Sequence, residues 1–150
     1  MKCGLRGALL ILIVFVLAVF GIAFNSKLSS QRDETLKLTE IVAWIKTQKL
    51  KPGIYKDLLP PGFIKPAKYY SDPVLIARVS DTHALALLWK SHLDWHFNYH
   101  GYIYVEPQFP VQLGQDSYKR KTLGIDFGEE EPYVVKKISN QIYFVCHDSW

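Results

Sequence analysis

The chain has 150 residues, a formal net charge of +4 and 49% hydrophobic residues, which is enough for one domain with a real core and too little for two. Lys2 and Arg6 precede a charge-free run, so the 18 Lys and Arg fall to 16 against 14 Asp and Glu in the remainder. The folded part is nearly balanced, and no nucleic-acid partner is expected in spite of the basic pI. Its two cysteines, Cys3 and Cys146, exclude a disulfide framework.

Residues 1–7 read as a short basic stub. Ala8 to Phe24, ALLILIVFVLAVFGIAF, holds no charged or polar side chain. As a helix its 17 residues would reach roughly 26 Å, close to the thickness of a hydrocarbon core. A soluble core helix needs a polar face over five turns, and this one has none. The segment therefore predicts a transmembrane signal-anchor with the lipid bilayer as its partner. Lys2 and Arg6 place the N-terminus in the cytoplasm and the globular domain outside it. Two other readings fit the same residues. Gly21-Ile22-Ala23 supplies small residues for signal-peptide cleavage and secretion, and Lys27, Arg32 and Lys37, which follow the segment closely, suit the reversed orientation. Cys3 sits at the membrane edge without a lipoprotein signal before it.

Asn25 to Ser30 reads as a polar linker, and 31–150 as one globular domain. From Gln31 to Lys49, Leu38, Ile41, Val42 and Ile45 fall at i, i+3, i+4 and i+7, which predicts an amphipathic helix. Ser30 is placed to cap it, and Pro52-Gly53 to end it. Ile54 to Lys68 is rich in turn residues and reads as an ordered loop. Val74 to Val79 and Ala84 to Trp89 flank Ser80-Asp81-Thr82-His83 as a hairpin, with helix the alternative for the second run.

Tyr99 to Glu106 alternates, Tyr102 and Tyr104 on one face and Ile103 and Val105 on the other, and reads as a strand ended by Pro107. Pro107 to Gly128 reads as mostly irregular. Tyr133 to Ile138 and Gln141 to Cys146 flank Ser139-Asn140 as a second hairpin, with Cys146 a buried, inert thiol. The predicted class is α+β: a transmembrane helix, then an amphipathic helix packed on an antiparallel sheet of about five strands. The same architecture describes type IV pilins, but their motif is missing, since Gly7 is followed by Ala8 and position 12 is Leu12 rather than an acidic residue.

Candidate chemistry concentrates in HLDWHFNYH. His92, His96 and His100 recur every four residues, a spacing that sets them on one stripe of a helix or one face of a strand, where two could hold Zn²⁺ or Cu²⁺. The outer pair would be about 12 Å apart on a helix, so one ion cannot bridge all three. Asp94, His83 and His147 are the available third ligands. Asp94 beside His92 and His96 also makes an acid-base pair conceivable, without a nucleophile to complete it. Trp95, Tyr99, Tyr102 and Tyr104 form the candidate interaction surface, because exposed aromatics stack on sugars or partner proteins. Glu129-Glu130-Glu131 lacks the spaced ligands of a calcium loop, and the run Lys119-Arg120-Lys121 is too short for a nucleic-acid face. No phosphate loop, HExxH, CxxC or GxSxG occurs, so no cofactor and no catalytic residue is predicted. The expected function is a non-enzymatic protein or envelope interaction by an exported, single-pass membrane-anchored domain. The alternative is a metal-binding or catalytic domain centred on His92, His96 and His100.

Overall fold

The computed structural model describes the backbone of residues 3–65, 73–92, 99–128 and 131–147. Within these ranges side chains are described from residue 11 onward, except at 24, 27, 28, 30, 31, 91 and 92. The chain divides into two compact units, Met1–Lys37 and Leu38–Trp150.

One helix, α1 (Cys3–Thr47), contributes to both units. The expected linker at 25–30 and the expected cap at Ser30 are corrected, since both lie inside α1. The reason is local: no Gly or Pro occurs between Ile22 and Lys51, and polar side chains along this stretch bond back onto the helix. Ser26 Oγ donates to the Ala23 carbonyl (2.8 Å) and Thr35 Oγ1 to the Arg32 carbonyl (2.9 Å). In the first unit, Ile11 to Ile22 present large apolar side chains outward all round the helix. Among the described residues no helix is long and apolar enough to cross a membrane. The described side chains of the apolar run cover 11–23, about 20 Å of helix. The expected transmembrane helix over Ala8 to Phe24 is therefore not shown by the described residues.

The second unit begins with the end of α1, where Leu38, Ile41, Val42 and Ile45 are buried as the helical period predicts. Thr47 Oγ1 bonds the Trp44 carbonyl (2.7 Å) and Gln48 N–H the Ile45 carbonyl (2.9 Å), closing the last turn before Pro52-Gly53. Among the described residues eight strands follow: β1 (Gly53–Lys56), β2 (Val74–Arg78), β3 (Leu85–His92), β4 (Tyr99–Val105), β5 (Gly114–Gln115), β6 (Lys121–Thr122), β7 (Tyr133–Lys137) and β8 (Ile142–His147). They make one antiparallel sheet in the order β1-β2-β3-β4-β8-β7-β6-β5. The α+β class and both expected hairpins hold, and the second apolar run is strand rather than helix.

The expected five strands become eight for one reason. β1, β5 and β6 are two to four residues long, too short to show a period, and they pair because neighbouring strands template them. The loop after β1 is held by Asp57, whose Oδ1 accepts from Val74 N–H (3.0 Å) and Lys65 Nζ (2.6 Å).

β2, β3 and β4 are buried on both faces. One core joins α1 to Ile76, Leu85, Leu87, Trp89, Tyr102, Tyr104 and Ile142. The other joins Leu75, Ala86, Leu88, Ile103 and Val145 to Phe109, Leu123, Ile125 and Phe127. The stretch 107–128, expected to be irregular, is thus the lid of the second face. Gly101 sits where β4 crosses Trp89 so closely that a Cβ would overlap the Trp89 carbonyl oxygen.

Two substitutions test this packing. Ile41→Ala should cost about 2–5 kcal/mol by opening a cavity between helix and sheet, and Gly101→Ala about 1–3 kcal/mol by forcing the strands apart. Denaturant unfolding of each variant against the parent checks both, and an unchanged midpoint for either contradicts the packing described.

Candidate functional site

The histidines do not converge. His92 and His100 lie on different strands, since β3 ends at His92 and β4 begins at Tyr99. His92 pairs with Tyr99 and Ser91 with His100, so the two histidines occupy positions of opposite parity in the pleat. The expectation that even spacing aligns them is corrected, because the chain reverses between them. His83 is in the β2–β3 turn, at the far end of a strand of eight residues, roughly 26 Å long. His147 pairs with Tyr99, two strands and about 10 Å from His92. His96, Asp94 and Trp95 lie outside the described residues. Among the described residues, no three metal-ligating side chains come together.

The tyrosines are core residues. Tyr99, Tyr102 and Tyr104 are 4%, 6% and 4% exposed, so these three do not form the expected interaction surface. Tyr102 packs on Phe144 (centroids 5.4 Å apart), and Tyr99 stacks flat on His147 (5.1 Å), with Lys90 Nζ 4.8 Å above its ring. Alternation was the right signal for a strand, but burial on both faces made it a signal of core. Cys146 is half-buried rather than buried, opposite His100 on β4 and Tyr133 on β7.

A polar tie joins the end of α1 to the sheet. Lys46 Nζ donates to Tyr104 Oη (3.0 Å) and pairs with Glu106 Oε1 (3.0 Å), while Glu106 Oε2 accepts Leu85 N–H (2.9 Å). Gln141 Nε2 also reaches Tyr104 Oη (3.3 Å). The Tyr104 hydroxyl raises the Lys46 pKa above its ordinary 10.5, partial burial works against it, and Glu106 adds to the rise.

The concave feature lies elsewhere, along the outer side of β7. β7 pairs with β8 through four residue pairs, yet with β6 only through Tyr133 and Thr122. Beyond that pair, residues 134–137 have no partner strand on this side among the described residues. A groove of about 840 Å³ opens there, floored by Leu123, Val134 and Tyr143 and flanked by Lys121, Lys136 and Lys137. A smaller hollow of about 390 Å³, sharing Leu113, Leu123 and Tyr143, continues toward Glu106 and Asn140. The combined size suits a bound ligand or peptide segment.

The charges around the groove are unequal in freedom. Arg120 is held by Asp116 and lies 3.8 Å over the Tyr133 ring. Partial burial pushes the Asp116 pKa up, but the Arg120 N–H and guanidinium and the Tyr118 N–H outweigh it and hold it below the ordinary carboxylate value. Glu131 accepts the Gly124 N–H and Asp126 the Gly128 N–H. Lys121, Lys136 and Lys137 are exposed and make no ion pair among the described residues. Lys137 Nζ lies 5.9 Å from the Tyr143 ring.

Sequence reasoning missed this site because its lysines come from two separated segments, each too short to count as a basic patch. Only the Thr122–Tyr133 register brings them together. Comparison with protein-family models, with curated proteins and with solved structures finds no match to this chain.

The Lys46 tie predicts an alkaline effect. A raised lysine pKa contributes stability that is complete below the ordinary unfolded value and is lost as pH rises through the higher folded value. Lys46 is nearly half exposed, so the contribution is discounted for screening to at most about 1 kcal/mol. Lys46→Met should flatten the fall in unfolding midpoint above about pH 10 and leave the neutral midpoint within a few degrees. An unchanged alkaline slope would contradict the tie.

Proposed function

We propose that this chain is a single-pass membrane-anchored protein whose globular unit is exported and serves as a non-enzymatic binding module for a protein or envelope partner. One observation carries the anchor. Ten large apolar side chains between Ile11 and Ile22 are 44–73% exposed, on every side of the helix. Exposed apolar surface of that extent on one element marks contact with lipid or with other chains. The sequence around it, charge-free from Ala8 to Phe24 with Lys2 and Arg6 before it, favours lipid. The anchor spans Ala8 to Phe24, and the N-terminus is cytoplasmic.

The binding role is supported by the second unit. Its conspicuous open feature is the groove along β7, apolar below and lysine-flanked above. Its histidines and tyrosines, by contrast, are divided between faces or packed into cores. A groove that sets spaced polar groups beside apolar residues suits binding.

Membrane fractionation tests the reading. The full-length chain should stay with membranes through high-salt and carbonate washes, because apolar burial is insensitive to both. Leu12→Arg should weaken insertion by roughly 3 kcal/mol and release a measurable soluble fraction with the circular dichroism of the sheet unchanged. Extraction of the parent by carbonate, or a mature chain beginning near Phe24, would contradict the anchor.

A further inference from the structure

We infer that the outer edge of β7 receives an extended acidic peptide segment, which adds to the sheet as a further strand in the groove beside β5 and β6. The inference deepens the reading of the chain as a binding module by naming the chemistry of the partner.

Three observations converge on it. The first is backbone geometry. A strand inside a sheet normally pairs along both sides, yet β7 meets β6 at the single pair Thr122–Tyr133 and leaves 134–137 open among the described residues. An open strand edge is a template for a segment in β conformation. The shift in register between Val134 and Lys136 lies on the β8 side of the same stretch, and a bulge there increases local twist and re-aims side chains.

The second is shape. The groove runs along this open stretch, with the β5–β6 hairpin as its opposite wall, and Leu123 and Tyr143 lie below. Leu113, 82% exposed, stands at its side. Alternate side chains of an added strand would point to this apolar floor, as alternate side chains of any strand do.

The third is charge. Lys121, Lys136 and Lys137 line the groove, and among the described residues no Asp or Glu lines it. The remaining side chains of an added strand therefore meet these lysines, which favours Glu or Asp. Edge lysines also discourage pairing between copies of this chain, because like charges would face each other. The same lysines that block self-association select an acidic partner.

The test uses the full-length chain in a mild non-ionic detergent. The probe is a blocked, fluorescein-tagged octapeptide alternating glutamate and valine, followed by anisotropy. It is compared with the lysine-valine octapeptide, with a backbone N-methylated copy of the acidic one, and with dodecanoate as an anionic amphiphile without a peptide backbone. Saturable binding should be lost at least tenfold with the lysine peptide and with the N-methylated peptide, and should weaken as salt is raised. Hydrogen exchange should slow at 134–137 when the acidic peptide is bound. Lys136→Glu combined with Lys137→Glu should weaken binding at least tenfold with an unchanged melting temperature. Val135→Pro, which removes one backbone N–H of the open stretch, gives a second reading where its melting temperature is preserved.

Absence of saturable binding, equal affinity for the N-methylated peptide, or displacement of the peptide by dodecanoate at lower concentration would overturn the inference. Membrane retention is measured independently of all these outcomes, so failure here leaves the anchor standing and failure of the anchor leaves the edge testable.

Discussion

β2, β3 and β4 are apolar on both sides, and a sheet of that kind is stable only where each side is covered. The rest of the globular unit follows from this requirement. The last three turns of α1 cover one side with Leu38, Ile41, Val42 and Ile45, joined by Leu58, Leu59 and Phe63 from the loop after β1. The stretch 107–128 covers the other with Phe109, Leu123, Ile125 and Phe127. The buried face of a sheet is usually found against a helix and the outer face against water. Here the outer face is also dry, and a segment with almost no regular structure keeps it so. Three of its four apolar anchors, Leu123, Ile125 and Phe127, alternate with exposed residues at a period of two, although the backbone of 123–128 forms no strand.

The same requirement makes the groove. The covering segment crosses the sheet and turns back as β5 and β6, but β6 is two residues long and reaches β7 at one pair. The cover therefore ends before the sheet does. What is left uncovered is the outer side of β7 with its lysines, and the chemistry of the groove is set by where the lid stops.

Much of this architecture is legible in the sequence. The i, i+3, i+4, i+7 stripe from Leu38 to Ile45 marks the covering helix, and the apolar runs at Val74 and Ala84 and the alternation from Tyr99 mark the central strands. The terminal hairpin is visible from its β-rich runs and the Ser139-Asn140 turn. What is not legible has physical causes. The short strands β1, β5 and β6 have no period of their own, and the helical state of 25–30 depends on the absence of any breaker rather than on a positive signal. The candidate site was the hardest part. His92, His96 and His100 look like a cluster along the chain, but a reversal between β3 and β4 separates two of them, whereas Lys121, Lys136 and Lys137 look unrelated along the chain and are joined by register. Tyr102 and Tyr104 could be assigned to one face of a strand, but nothing local reveals that both faces are buried.

We propose that the apolar helix is lipid-embedded and that the globular unit is stable apart from it, with β2, β3 and β4 dry on both faces. Hydrogen exchange read by mass spectrometry on the full-length chain in a bilayer nanodisc, before and after transfer to non-ionic detergent, tests both halves at once. Amides of β3 and β4 should be the slowest in the globular unit and equally slow in both settings, while peptides covering 8–24 should show protection that depends on the lipid. Fast exchange of 8–24 in the bilayer, or protection of β3 and β4 that disappears with it, would contradict the account.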